Sequence, residues 1–142
     1  MTAISTVTPT GNAYVDGILS GTKWAVTSLT YSFPTSASFY TDPTMLGGYG
    51  SGEENNGFKA FNSVQQAAVT SILGEYSSVG NLTFTQITET STQSATLRFA
   101  ESNTPSTAWT YYPSTSAEAG DSWFNNSCGW YNNPVVGNYA WL

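Results

Sequence analysis

The 142-residue sequence contains no histidine. Histidine is the commonest transition-metal ligand and the commonest acid–base group near neutral pH. Without it these residues cannot build a Ser-His-Asp site, a Cys-His site or a His-ligated zinc site. Cysteine occurs once, at Cys128, so no intrachain disulfide forms. No Lys or Arg adjoins Cys128 in sequence to lower its pKa, which reads as a structural thiol. Charge is scarce as well. Only 8% of residues are charged, against roughly 25% in ordinary soluble proteins. The cations are Lys23, Lys59 and Arg98, set against nine acids, for a net charge of −6. Three scattered cations make no phosphate-neutralising surface, which argues against nucleic acid and anionic membranes as partners. No apolar run approaches the length of a membrane span.

What remains is rich in apolar and small polar residues. Hydrophobic residues make up 39% and aromatics 15%, too many for a disordered chain. The length suits one domain, residues 1–142, with its own core. Ser, Thr, Asn and Gly must then supply the polar surface, a composition that fits a secreted, β-rich protein. The first nine residues carry neither a basic region nor an apolar core, so they do not read as a secretory signal.

Residues 1–12 read as a loose leader, and residues 13–19 as a short helix or turn stopped by Ser20-Gly21. Leu29, Tyr31 and Phe33 alternate with polar residues, a strand ended by Pro34. Residues 35–57 form a long, Gly-rich loop. The clearest helix spans about 62–77. Asn62 is its N-cap, with Gln65 three residues on, and Val64, Ala68, Ile72 and Tyr76 form a stripe widened by Val69 and Leu73. Further strands are expected at residues 82–88, around Ala95, Leu97 and Phe99, at 107–112, and at 122–125. Residues 126–137 read as a loop, after which Asn138 can cap one helical turn. The expected fold class is α+β, with a twisted mixed sheet of about five strands and one long helix.

Few residues offer chemistry. Calcium needs six to eight oxygen ligands. Residues 52–57 (Gly-Glu-Glu-Asn-Asn-Gly) and Asp121 with Asn125 and Asn126 are oxygen-rich, but neither has the alternating Asp pattern of a calcium loop, and both read as solvated loops. Nine acids single out no glycosidase pair, and neither Lys23 nor Lys59 lies in a Ser-x-x-Lys context. Tyr111, Tyr112, Trp123, Trp130 and Tyr131 gather late in the chain. They either fill a core or stack on sugar rings.

Several segments, taken in order, resemble the front half of a serralysin-type zinc metalloendopeptidase, a branch of the metzincins. Val15-Asp16-Gly17-Ile18-Leu19-Ser20-Gly21-Thr22-Lys23-Trp24 resembles the family's opening element. Leu29-Thr30-Tyr31-Ser32-Phe33-Pro34 resembles its first strand, residues 61–73 its first long helix, and Leu82-Thr83-Phe84-Thr85 the next strand. Ala108-Trp109-Thr110-Tyr111-Tyr112-Pro113 resembles its edge strand, and Gly120-Asp121-Ser122-Trp123-Phe124-Asn125 the strand that follows. The likeness runs from about residue 11 to residue 142.

The resemblance implies an incomplete metzincin-like catalytic domain that meets its end at the start of the active-site helix. That helix carries the family's His-Glu-x-x-His motif, and Asn138-Tyr139-Ala140-Trp141-Leu142 resembles its first turn. Zinc is therefore expected in the intact family enzyme, with none bound by this chain and no catalytic residue to carry over. The positions of a matrix metalloproteinase's structural-zinc histidines are Trp109 and Trp123 here, so that site is not expected either. The resemblance further implies an extracellular protein and an extended peptide substrate lying along Ala108, Trp109, Thr110, Tyr111 and Tyr112 by β-augmentation. Without the next helix, the face built by Leu29, Tyr31, Leu97 and Phe99 is expected to lie open and to self-associate. Two other functions remain: a non-catalytic peptide-binding or inhibitory pseudo-protease, and a carbohydrate-binding module using Trp123 or Trp130.

Overall fold

A computed structural model describes residues 2–40, 49, 52–127 and 129–134. Over them the chain forms β1 (Ile4–Thr6), α1 (Ala13–Asp16), β2 (Thr22–Trp24), β3 (Ser28–Ser32), β4 (Lys59–Ala60), α2 (Ser63–Val79), β5 (Thr83–Gln86), β6 (Leu97–Ser102), β7 (Ala108–Thr110) and β8 (Ser122–Asn125). Short 3-10 turns lie at Ala37–Tyr40, Glu53–Asn55 and Trp130–Asn132. The fold is α+β, with a mixed sheet and one long helix.

The main sheet runs β5-β3-β6-β8-β7. β3 pairs in parallel with β5 and β6, β6 pairs in parallel with β8, and β7 closes the row antiparallel to β8. β4 adds a sixth strand, antiparallel to β6 through Lys59↔Glu101 and Ala60↔Ala100. It takes the edge of β6 that β3 leaves after Ser32↔Arg98. Two residues are too short for any alternating pattern, so the sequence did not announce β4.

The leader is only partly loose. Ile4–Thr6 pairs antiparallel with Thr22–Trp24 in a separate two-stranded sheet. Sequence reading missed it because three residues without apolar alternation carry no strand signal. α1 starts at its N-cap Asn12, whose side chain accepts a hydrogen bond from the Tyr14 N–H, and ends at Gly17, whose N–H donates to the Ala13 carbonyl.

The long helix starts as expected. Asn62 accepts from the Val64 and Gln65 N–H groups, and the Gln65 side chain accepts from the Asn62 N–H, which completes a capping box. The buried stripe, however, is Gln65, Val69 and Leu73. Val64 and Tyr76, expected inside, are 46% and 59% exposed. The face is rotated because the Gln65 amide is consumed inside: its Nε2 donates to the Tyr131 carbonyl at 2.8 Å. Polar satisfaction therefore permits a buried glutamine where an apolar count would not place one.

Strand alternation sends neighbouring side chains to opposite faces, and both faces are covered. On one, Tyr31, Phe33, Phe61, Val69 and Leu73 pack together, joined by Phe84, Leu97, Phe99 and Phe124. On the other, Tyr40, Ala100 and Trp123 pack with Tyr49, Phe58 and Tyr111. The expectation that Leu29, Tyr31, Leu97 and Phe99 lie open is corrected. Leu29 and Tyr31 are buried, and Leu97 and Phe99 are half-buried against the cluster that includes Val69 and Leu73 of α2. The expected turn at Asn138, Cys128, and residues 41–48, 50 and 51 of the Gly-rich loop lie outside the described residues.

Candidate functional site

The five residues expected to bind a peptide follow one another along the end of the sheet. Ala108, Trp109 and Thr110 form β7, all exposed, with half-buried Tyr111 and exposed Tyr112 after them. β7 pairs with β8 on one side and, among the described residues, has no partner strand on the other. The Asn125 N–H donates to the Thr107 carbonyl at 2.7 Å, and the Tyr111 N–H to the Asp121 carbonyl at 2.9 Å. Antiparallel ladders alternate, so residues 107, 109 and 111 turn their backbone groups toward β8. Ala108 and Thr110 therefore turn their N–H and C=O groups outward. An added strand needs such a row of unpaired donors and acceptors.

Trp109 of β7 and Tyr111 after it are anchored from beneath by a residue that the sequence placed in a solvated, oxygen-rich loop. Glu53 is fully buried. Its Oε1 accepts from Trp109 Nε1 at 3.1 Å and from the Tyr111 hydroxyl at 2.5 Å. Its Oε2 has no hydrogen-bond partner among the described residues. Gly52, at φ 79°, supplies the left-handed residue that leads into the turn carrying Glu53. No local pattern ties Glu53 to Trp109, which lies 56 residues away.

A second anchor sits at the start of β8. Arg98 Nε and Nη2 donate to Asp121 Oδ1 and Oδ2 at 2.8 and 2.7 Å, a bidentate pair buried on both sides. Arg98 Nη1 also donates to the Phe39 carbonyl, and its guanidinium lies 4.3 Å from the Tyr40 ring centre. Burial alone would lower the Arg98 pKa. The Asp121 charge and its hydrogen bonds outweigh that and hold it above its usual range.

The two oxygen-rich segments do not form solvated loops. Glu53 and Glu54 are buried, whereas residues 55–57 are exposed. Burial raises the Glu54 carboxyl above its usual value. Asp121 is committed to Arg98, and Asn125 Oδ1 accepts from the Ser127 N–H and hydroxyl. Asn126 Nδ2 donates to the Gly57 carbonyl. Among the described residues no three His, Cys, Asp or Glu side chains come together.

The late aromatics do not share one surface. Trp123 and Tyr131 are buried, and Trp123 Nε1 donates to the Tyr49 hydroxyl. Tyr112 and Trp130 are exposed. Trp123 is thus a core residue and has no face free for a sugar. The sequence matches no known family model and is not significantly similar to any curated protein.

Proposed function

We propose that this chain forms the sheet-and-helix layer of a secreted, serralysin-like zinc metalloendopeptidase, and that β7 is its peptide-docking edge. The segments that resemble the family fall, in order, on β3, α2, β5, β7 and β8. The outward backbone groups of Ala108 and Thr110 carry the reading, because an extended peptide laid antiparallel along them completes the ladder. Trp109 and Tyr111, fixed by Glu53, hold the strand in place for it.

These residues do not fit the zinc such an enzyme uses. The chain has no histidine, and among the described residues no three His, Cys, Asp or Glu side chains come together. On this reading, metal and general base come from residues outside this sequence, and the chain alone does not cleave peptides.

Two measurements test the proposal. The first is the coding sequence following Leu142. A His-Glu-x-x-His within about ten codons supports it, and a stop codon in the native gene leaves only the non-catalytic peptide binder. The second is casein hydrolysis by the full gene product. Thr110→Pro removes an outward N–H without touching the β8 ladder. It should raise KM more than it lowers kcat. An unchanged KM removes β7 as the docking edge.

A further inference from the structure

We propose that the groove between the β1–β2 sheet and the main sheet is a binding site for an uncharged sugar ring. The groove has a volume of about 430 Å3, within the roughly 300–1,000 Å3 of small-ligand sites. Trp24 and Val26 line one side, residues 114–119 contribute another, and the starts of β3 and β6 also line it. It is separate from the β7 edge, and it uses neither Trp123 nor Trp130.

Its lining selects the ligand class. Seven of its lining residues carry a hydroxyl: Thr2, Ser28, Thr30, Ser94, Thr96, Ser114 and Ser116. A hydroxyl both donates and accepts, which matches a ligand whose own groups do the same. Some of the seven are held in place. Thr30 Oγ1 accepts from the Thr96 N–H at 3.0 Å, and the Ser114 and Ser116 hydroxyls lie 2.9 Å apart. The Ser28 and Ser94 hydroxyls make no hydrogen bond among the described residues, so both are available.

Among the described residues, the charged side chains at the groove are Arg98 and Asp121, and they pair with each other in a bidentate contact. An ionic ligand therefore finds no unpaired counter-charge. A purely apolar ligand would strip water from the hydroxyls without replacing their hydrogen bonds. Trp24 adds an aromatic wall, on which the C–H face of a sugar can rest. Two contacts tie the β1–β2 sheet to the rest and keep the groove's width: Thr2 Oγ1 to Thr96 Oγ1 at 2.6 Å, and the Thr22 hydroxyl to the Pro113 carbonyl at 2.8 Å.

The test is a titration with glucose, methyl glucoside and cellobiose, followed by heteronuclear NMR. The expected result is saturable movement of the Trp24 indole and of the Ser94, Ala95 and Thr96 amides, with dissociation constants in the millimolar range. The Trp130 indole should stay still. Preference for cellobiose or the methyl glycoside over glucose assigns a glycan end, and equal binding assigns a free sugar. Trp24→Ala should weaken binding roughly tenfold. Because Trp24 packs beside Gly120, Ser94→Leu serves as a second variant that fills the groove without removing the tryptophan. The proposal is overturned if no sugar moves these resonances, or if binding survives both substitutions in folded protein.

Discussion

The Asp16 carboxylate accepts from the Thr10 N–H at 2.7 Å, the Thr10 hydroxyl at 2.8 Å and the Gly11 N–H at 3.0 Å. Chiefly through the Thr10 N–H, these contacts hold its pKa below the usual 3.8. A carboxylate lowered in the folded state contributes stability above its unfolded pKa and loses it as pH falls through the folded value. Exchange protection of the Thr10 and Gly11 amides should therefore drop in acid, and Asp16→Asn should abolish that pH dependence. Glu54 behaves oppositely. Burial raises its pKa above the usual 4.5, so its contribution is most favourable below the unfolded pKa and is lost as pH rises through the folded one. Glu54→Gln should raise Tm at pH 7, and the gain should vanish in melts below the carboxylate range. The Arg98–Asp121 pair is a harsher case. Asp121→Asn leaves a buried guanidinium without its counter-charge and should cost about 3–5 kcal/mol in urea unfolding. None of these partners is near enough in sequence to be read from a pattern, apart from Thr10 and Asp16.

α2 shows how local and tertiary signals divide. Its start was legible because Asn62 and Gln65 stand three residues apart, and that spacing is itself the capping box. Its buried face was not legible. The core-facing row includes Gln65, and only the fold brings the Tyr131 carbonyl within 2.8 Å of its amide. Asn62 also donates to the Asn132 carbonyl at 2.9 Å. Asn62→Ala should thus cost about 1–2 kcal/mol by chemical denaturation, at the upper end for an N-cap. β7 tells a similar story. Its sequence marks a strand ended by Pro113, but its place in the sheet comes from pairing with β8 and from the Glu53 anchor, both set by residues distant in sequence. β1, β2 and β4 were invisible for a plain reason: runs of two or three residues have no period.

The molecule has one sheet with aromatic packing on both faces and a small two-stranded sheet leaning on its end. The central strands β3 and β6 have partners on each side, whereas the β1–β2 pair reaches the main body through the Thr2–Thr96 and Thr22–Pro113 contacts. Native-state hydrogen exchange should separate them. Amides of β3 and β6 should exchange only through global unfolding, and those of β1 and β2 at a lower free energy. Equal protection in both sheets would show that the small sheet is welded to the core. The covering of that face also explains why the expected open apolar surface is absent at Tyr31, Leu97 and Phe99: Val69 and Leu73 of α2 belong to the cluster they pack in.

By itself, the sequence determined what this protein cannot do alone and which long elements it forms. A chain without histidine and with three cations excludes whole classes of site whatever its fold, and helix caps and alternation act over a few residues. Only the tertiary structure decided that Trp123 is core, that Glu53 lies under β7, and that seven hydroxyl residues line one groove. Each of these joins residues far apart in the chain, and such contacts are set by which faces meet when the sheet closes, not by neighbours in sequence.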